Sequence, residues 1–155
     1  MIRPARGGTA IVLAPAGPSR ERLGDALEEW GWTVAAVSSA SLAVEQLESV
    51  QTPVLFCDTA TPGLDVVALC RHVRDDPRTA HALVFVLSDH ADASLRTDVY
   101  KAGADDFMPK PLDLLELRAR LDARLRRCFA AEGGVGTGAP ACDQVLPLLL
   151  YLLDL

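Results

Sequence analysis

The apolar residues of this chain alternate between two spacings over its first 127 positions. Five short, mostly apolar runs predict β-strands, at 9–13, 32–37, 54–57, 82–87 and 104–108. Each run is followed by a segment whose apolar residues recur every three to four positions, which predicts an amphipathic helix. Strand and helix therefore alternate five times. This order predicts an α/β domain with right-handed crossovers and a doubly wound, five-stranded parallel sheet.

The predicted helices differ in how much of their surface is apolar. In the third helix the apolar stripe consists of Val66, Leu69, Cys70 and Val73. This spacing places Arg74 on another face, and Asp65 is the predicted N-cap. Asp113 and Glu116 are predicted to form a capping box at the start of the last helix. The fourth helix has a thinner stripe made of Leu95, Val99 and Ala102. We therefore expect the fourth helix to be mobile or to cover an interface.

Composition places the chain among folded globular proteins and argues against some classes of partner. Half of its 155 residues are hydrophobic, which is enough for one sizeable core. The net charge of −6 argues against a general nucleic-acid footprint, so we expect no direct nucleic-acid contact. The four cysteines form no CxxC pair and have no metal-binding spacing, and no apolar segment of a secretory signal follows the N-terminal arginines. These features predict a cytoplasmic location.

Changes in composition divide the chain into four parts. We predict an N-terminal extension at 1–8, the folded domain at 9–127, a flexible linker at 128–142 and an apolar C-terminal segment at 143–155. The last part contains QVLPLLLYLLDL, which is shorter than the roughly 20 apolar residues of a membrane span. We expect it to pack in a groove of its own domain or of a second copy. The alternative is that it begins a further domain or is an out-of-frame extension.

Asp58 closes the most apolar of the predicted strands. Residues 54–57 form the unbroken apolar run VLFC, which is typical of a parallel strand covered on both faces. The carboxyl ends of such strands are where open α/β sheets place their ligand and reaction sites. Pro62 and Gly63 then provide turn chemistry. An isolated aspartate at this position is more often a solvated loop cap, so the neighbouring strand ends decide the interpretation.

Two more polar residues follow neighbouring strands. Ser88 comes after the fourth strand and Lys110 after the fifth. In a parallel sheet these ends share one edge with Asp58, so the three side chains are expected to lie close together. Taken one at a time, Ser88 could be a strand-end cap and Lys110 a solvated loop residue. Together they predict a site that combines a carboxylate, a hydroxyl and an ammonium group.

The sequence pattern around these residues resembles the receiver domain of two-component response regulators. The resemblance rests on the three strand-end residues, on DTATPGLD and AGADDF, and on the Lys110–Pro111 dipeptide, and it covers about residues 9–127. It implies a CheY-like, flavodoxin-like (βα)5 fold with strand order 2-1-3-4-5. It also implies that the chain is a phosphorelay signalling module and not an enzyme.

The resemblance also assigns roles to individual residues. It implies that Asp58 is the phosphoacceptor, Ser88 the switch hydroxyl and Lys110 the lysine that pairs with the phosphoryl group. Phe107, which could also be plain core, corresponds to the rotating aromatic residue. The bond before Pro111 is expected to be cis. An aspartate is a competent nucleophile toward phosphorus when a metal and a cation neutralise the transferred oxygens.

Three departures from the family pattern put metal binding in doubt. Family members normally have an acidic pair directly after the first strand, which holds Mg²⁺, but Ala14 and Pro15 occupy those positions here. No Asp or Glu occurs before Glu21, so a shift of the alignment does not supply one. Asp89 stands where a small residue is usual, and Val66 where a glycine is usual. Mg²⁺ prefers carboxylate oxygens, so we expect no resident cofactor, and Mg²⁺ only if the degenerate site proves competent.

These observations predict an atypical receiver domain that acts through protein–protein contacts with impaired Mg²⁺-dependent phosphorylation. Its expected partner is a histidine kinase or a downstream effector. The first alternative is a conventional receiver that a histidine kinase phosphorylates on Asp58, with Asp65, Asp89 or Asp106 supplying the missing ligand. The alternative of another class is a flavodoxin-like small-molecule-binding protein, although no glycine-rich phosphate loop is present.

A charge pattern in the second half of the chain also predicts self-association. The last helix is rich in arginine, at Arg118, Arg120, Arg124, Arg126 and Arg127. Asp98, Asp105 and Asp106 precede it. Patches of opposite sign favour specific pairing across a two-fold axis. We therefore expect a homodimer through helix 4, strand 5 and helix 5, with a simply solvated helix face as the alternative.

Overall fold

The computed structural model describes residues 8–50, 53–89 and 92–132, with side chains up to residue 127. In chain order the elements are β1 Thr9–Leu13, α1 Pro18–Glu29, β2 Thr33–Val37, α2 Ala40–Ser49, β3 Val54–Asp58, α3 Val66–Asp75, β4 Leu83–Ser88, α4 Ala93–Ala102, β5 Asp106–Pro109 and α5 Leu114–Glu132. The predicted alternation of strand and helix is confirmed. Positions 1–7 and the apolar segment 143–155 lie outside the described residues.

The five strands form one parallel sheet in the order β2-β1-β3-β4-β5, which confirms the predicted fold. The register pairs Asp58 with Leu87 and Ser88 with Pro109. The last residues of β3, β4 and β5 therefore lie side by side at the carboxyl edge of the sheet. None of the described helices is long and apolar enough to cross a membrane.

The sheet is buried on both faces, because helices cover each of them. On one face Leu55, Cys57 and Val84 contribute to a core shared with α2, α3 and α4. On the other face Phe56 and Phe85 pack with α1 and α5, and their ring centroids lie 5.3 Å apart. All residues of β3 and β4 are buried, as the unbroken apolar runs predict.

Two boundaries differ by more than one residue from those that the sequence predicts. The fifth strand begins at Asp106 and not at residue 104, because the Ala104 amide donates 2.9 Å back to the Val99 carbonyl and so belongs to the end of α4. Gly103 makes this helix ending possible with a φ of 112°. Helix α5 continues to Glu132, past the boundary at 127, so it occupies the first part of the predicted linker 128–142.

The predicted helix caps are present, with one change. The Asp65 carboxylate accepts from the Ala68 amide at 3.0 Å at the start of α3. At α5 the Asp113 carboxylate accepts from the Leu115 and Glu116 amides. The Glu116 side chain, expected to complete a capping box, instead accepts from Arg120 Nη2 at 2.9 Å. An ion pair along the helix thus competes with the second half of the box.

Arg74 on α3 binds several elements at the amino edge of the sheet. Its guanidinium donates to the carbonyls of Gly103, Ala80 and Ala82. It also pairs with Asp105 Oδ2 at 2.6 Å, and the same carboxylate oxygen accepts from the Val84 amide at 2.8 Å. Arg74 is half-buried, and the contacts of its guanidinium group are not visible in the sequence.

Candidate functional site

Asp58 ends β3, and its side chain is only 6% exposed. Oδ1 accepts from the backbone amide of Ala60 at 2.8 Å, and Oδ2 accepts from Lys110 Nζ at 2.7 Å. The turn after the strand is held by the Thr61 hydroxyl, which donates to the Asp58 carbonyl at 2.7 Å. Both carboxylate oxygens therefore have a donor, and the negative charge is matched by one lysine.

Lys110 reaches the aspartate from the loop that follows β5. Its backbone amide donates to the Ser88 carbonyl at 2.8 Å, which fixes the start of this loop against β4. Burial by itself would lower the pKa of Lys110, but the hydrogen bond and charge of Asp58, helped by Asp89, raise it above its ordinary value. The ammonium group is therefore fully charged at neutral pH. The Lys110–Pro111 peptide bond is cis, as the resemblance implies.

Ser88 is completely buried at the end of β4. Its hydroxyl oxygen lies 3.2 Å from Thr59 Oγ1, which is the donor. Thr59 directly follows Asp58, so a second hydroxyl stands at this edge that the sequence analysis did not single out. The sequence contains a clue to Thr59, because the turn that places Asp58 at the end of β3 also places the residue that follows it. The edge of the sheet thus brings together Asp58, Lys110 and a pair of hydroxyl groups.

Phe107 is buried on β5, with 3% of its surface exposed. The guanidinium carbon of Arg96 on α4 lies 5.3 Å from its ring centroid, within cation–π range. The aromatic side chain is therefore part of the core shared with α3 and α4 and is covered by an arginine. Arg96 is a second residue that the sequence did not identify, because its partner lies on a different element.

Ala14 and Pro15 follow β1 at the same edge as Asp58. Ala14 is buried, and its carbonyl accepts from Arg20 Nη1 on α1 at 3.2 Å. Where Mg²⁺ would need carboxylate oxygens, this strand end therefore offers a methyl group, a proline ring and a carbonyl that already has a cationic donor. Among the residues that the structure describes, no three His, Cys, Asp or Glu side chains form a group able to hold a metal ion. The residues present do not fit Mg²⁺.

The three acids considered as substitute ligands have different surroundings. Asp65 caps α3, and Asp106 is buried beneath α5, where its Oδ1 accepts from Arg120 Nη1 at 2.7 Å. Asp89 alone lies at the site, with Oδ2 3.4 Å from Lys110 Nζ and a side chain that is 56% exposed. It makes Lys110 a lysine shared by two carboxylates.

The two described cysteines are free thiols in the core. Cys57 precedes Asp58 and is completely buried, and burial raises its pKa well above the ordinary value. The pKa of Cys70 is raised to about 11, again mainly by burial. Both thiols therefore stay protonated at neutral pH and act as small apolar side chains.

Comparison with known proteins gives consistent matches to one family. The family model described as response regulator receiver domain matches residues 17–122. A curated relative, the transcriptional regulatory protein CseB of Streptomyces coelicolor, is 36% identical over 130 residues, which are 82% of this chain and 54% of the relative. The chain spans about half the length of the curated relatives that it matches.

Solved structures agree with this assignment. A response regulator from Chloroflexus aurantiacus has a TM-score of 0.68 and 28% identity, covering 76% of this chain and 96% of that one. The receiver domain of a sensor histidine kinase from Pseudomonas aeruginosa, solved with a magnesium ion in its active-site cleft, has a TM-score of 0.67 and the same coverage. At 21% identity, the latter supports the fold alone. With its sheet order and its family match, this chain belongs to the response regulator receiver domain family of two-component systems.

Proposed function

We propose that this chain is an atypical, cytoplasmic receiver domain that signals through protein contacts and in which Mg²⁺-dependent phosphorylation of Asp58 is impaired. The observation that carries the proposal is the closed ion pair between Asp58 and Lys110 beside a strand end occupied by Ala14 and Pro15. The partner is a histidine kinase or a downstream effector. The buried, unpaired thiols of Cys57 and Cys70 support a reducing location.

The chemistry of phosphoryl transfer supports impaired phosphorylation. Negative charge spreads over the transferred oxygens in the transition state, and catalysis depends on cations and donors that are already in place. Here Lys110, the hydroxyl pair of Thr59 and Ser88, and the Ala60 amide are the donors at the site. Asp89 adds a carboxylate 3.4 Å from the same lysine. Like charge at the entry of an anionic donor opposes the reaction.

Acetyl phosphate labelling tests this proposal. We expect no phosphoryl adduct in the intact mass of the wild-type protein after incubation with acetyl phosphate and MgCl₂. The double variant Ala14→Asp with Pro15→Asp restores carboxylates to the strand end and should acquire an adduct. Asp58→Asn in the restored background is the matched control and should abolish the adduct. Mg²⁺-dependent labelling of wild-type Asp58 at the rate of the restored variant would contradict the proposal.

A conventional receiver phosphorylated on Asp58 by a histidine kinase is the second candidate. The convergence of Asp58, Ser88 and Lys110 favours it, and Asp89 is then the acid available to help hold a metal. The variant Asp89→Asn separates the two candidates. It should abolish labelling if Asp89 supplies a ligand, and it should leave labelling unchanged or increase it if Asp89 only repels the phosphodonor. The family match favours both candidates over a flavodoxin-like small-molecule-binding protein.

We also propose that this receiver forms a homodimer through α4, β5 and α5. Tyr100 on α4 is 41% exposed, and Val99 and Ala102 are the buried residues of α4, as its thin apolar stripe predicts. Fewer charged residues are available to pair between copies than the sequence suggests. Asp105 and Asp106 pair within the chain, with Arg74 and Arg120. Asp98 and the exposed arginines at the end of α5 remain to pair between copies.

A further inference from the structure

Arg20 lies in the first turn of α1 and reaches back to the end of β1. It is half-buried, and its Nη1 atom donates to the Ala14 carbonyl at 3.2 Å. This is the strand end at which the family pattern has an acidic pair and this chain has Ala14 and Pro15. A positively charged side chain is therefore fixed beside the place where the residues present do not fit Mg²⁺.

The guanidinium of Arg20 and the carboxylate of Asp58 lie on the same face of the sheet. The register of β1 with β3 makes Ala14 and Asp58 neighbours, on strands that run about 4.8 Å apart. Ala14 and Phe56 both belong to the core that α1 and α5 cover. Because side chains alternate along a strand, Asp58 is directed to the same face as Phe56. Arg20 enters from α1, the helix above this face.

A cavity of about 360 Å³ connects the start of α1 with the ion pair of Asp58. Its lining includes Ser19, which directly precedes Arg20, and Lys110, which holds the Asp58 carboxylate at 2.7 Å. Asp89 lines the same cavity. The first turn of α1 and both carboxylates that share the lysine therefore border one space.

The carboxyl edge of the sheet has one more negative charge than Lys110 neutralises. Lys110 Nζ lies 2.7 Å from Asp58 and 3.4 Å from Asp89, so two carboxylates share one ammonium group. Across the described part of the chain, Arg20 has no ion pair of its own. Its charge is therefore available to balance the second carboxylate of the edge.

The position of Arg20 in α1 is unfavourable for the helix alone. The first turn of a helix carries a partial positive charge and favours acids over cations. Gly17, the N-cap residue, contributes no side-chain hydrogen bond that would offset this charge. Glu21 in the same turn is exposed and does not pair with Arg20. A half-buried arginine at this point needs negative charge nearby, and the two carboxylates of the edge provide it.

Building on the proposed function, we propose that Arg20 supplies at this edge the positive charge that a metal ion supplies in receivers with an acidic pair after β1. Two fixed cations, Arg20 and Lys110, then balance Asp58 and Asp89, and the ion network needs no metal. The same guanidinium repels Mg²⁺. Arg20 therefore opposes metal binding in addition to the loss of carboxylates at Ala14 and Pro15.

Calorimetric titration with MgCl₂ tests this role in the variant Ala14→Asp with Pro15→Asp. We expect this restored variant to bind Mg²⁺, and the addition of Arg20→Gln to tighten binding about tenfold, because a nearby cation is removed. Arg20→Lys keeps the charge and should bind like the restored variant. Arg22→Gln is the matched control, because Arg22 is exposed in α1, and it should change the affinity by less than about twofold.

The titration separates this proposal from the proposed function. Saturable binding of Mg²⁺ by the wild-type chain would contradict both. A silent wild type, combined with equal affinities with and without Arg20 in the restored variant, would overturn the role of Arg20 alone, as would the absence of binding in both restored proteins. An equal gain from Arg22→Gln would also overturn it, because any positive charge on α1 would then act in the same way.

A double-mutant cycle on the otherwise wild-type chain needs no carboxylate at the buried position 14. Arg20→Gln should lower the melting temperature, and the loss should be much smaller when Asp58→Asn has already removed one negative charge. Arg22→Gln should have the same effect in both backgrounds. Strictly additive effects of Arg20→Gln and Asp58→Asn would show that Arg20 acts only through its hydrogen bond to the Ala14 carbonyl, and would overturn the proposal.

Discussion

At the scale of single residues, the site is organised around Lys110, a hydrogen-bond donor that two carboxylates share. Lys110 is 14% exposed and Asp58 is 6% exposed, so the pair lies largely out of water and each charge depends on the other. The sequence predicted which strand ends would meet, because parallel strands place their carboxyl ends on one edge. It did not predict that the Thr59 hydroxyl would bind Ser88 or that Asp89 would share the lysine with Asp58. Those contacts depend on side-chain conformations, which a pattern of residue types does not determine.

Replacing Lys110 by methionine should destabilise the domain. The variant Lys110→Met leaves the Asp58 carboxylate without its cation, and we expect a loss of about 2 kcal/mol in the free energy of unfolding near neutral pH. Urea denaturation followed by Trp fluorescence measures the loss. Lys101→Met, on the exposed side of α4, is the matched control and should change stability by less than about 0.5 kcal/mol.

The stability difference between wild type and Lys110→Met should also depend on pH in a defined direction. The pKa of Lys110 is raised above its ordinary value of 10.5, so the folded state holds this proton more tightly than the unfolded state. The contribution of Lys110 is therefore fully present below pH 10.5 and is lost as pH rises through the folded-state pKa. A difference between the two proteins that stays constant as pH is raised beyond 10.5 would show that the pair does not act through the lysine charge.

At the scale of elements, the sequence predicted every strand and helix but placed two boundaries more than one residue away from where the structure has them. Ala104 and Asp105 continue the apolar-polar pattern of a strand, yet the Ala104 amide completes the end of α4. The Asp105 amide donates to Val84, and its side chain turns to Arg74. Regular pairing with β4 therefore starts at Asp106. Local pattern could not reveal this, because the competing hydrogen bonds come from α3 and β4.

Arg74 should be one of the larger single contributors to stability at the amino edge of the sheet. The variant Arg74→Met removes the donor from three carbonyls and from Asp105 while keeping most of the aliphatic stem. We expect a loss of about 3 kcal/mol in the free energy of unfolding, because a half-buried carboxylate and three acceptors lose their partner. Thermal and urea denaturation both report this loss.

Arg78→Met provides the matched control for Arg74. Arg78 also pairs with acids, Asp76 and Glu48, but its side chain is 68% exposed. Exposed pairs of this kind contribute little, so the control should lose much less stability than Arg74→Met. Equal losses in the two variants would mean that the contacts of Arg74 act as ordinary surface ion pairs.

At the scale of the whole molecule, the sequence predicted the topology of the sheet more completely than the surface of the proposed dimer. The alternation of strand and helix predicted a parallel sheet, and the resemblance to receiver domains implied the order of its five strands. The charge argument for a dimer counted Asp105, Asp106 and Arg120 as free, although the fold uses all three internally. Formal charge along a sequence does not show which charges the fold has already paired.

The charges that remain lead to a specific prediction about self-association. If Asp98 of one copy faces the arginines at the end of α5 in the other, the dimer should weaken at high salt, because exposed pairs are screened over about 8–10 Å. Asp98→Lys should convert attraction into repulsion and give a monomer at concentrations where wild type is dimeric. Asp25→Lys makes the same charge change on the exposed side of α1, outside the proposed surface, and should leave the dimer intact.

Sedimentation velocity at low and high salt measures the association of all three proteins. A wild-type protein that sediments as a monomer at high concentration and low salt would refute the α4–β5–α5 dimer. Equal dissociation in both variants would show that net charge, and not this surface, controls association.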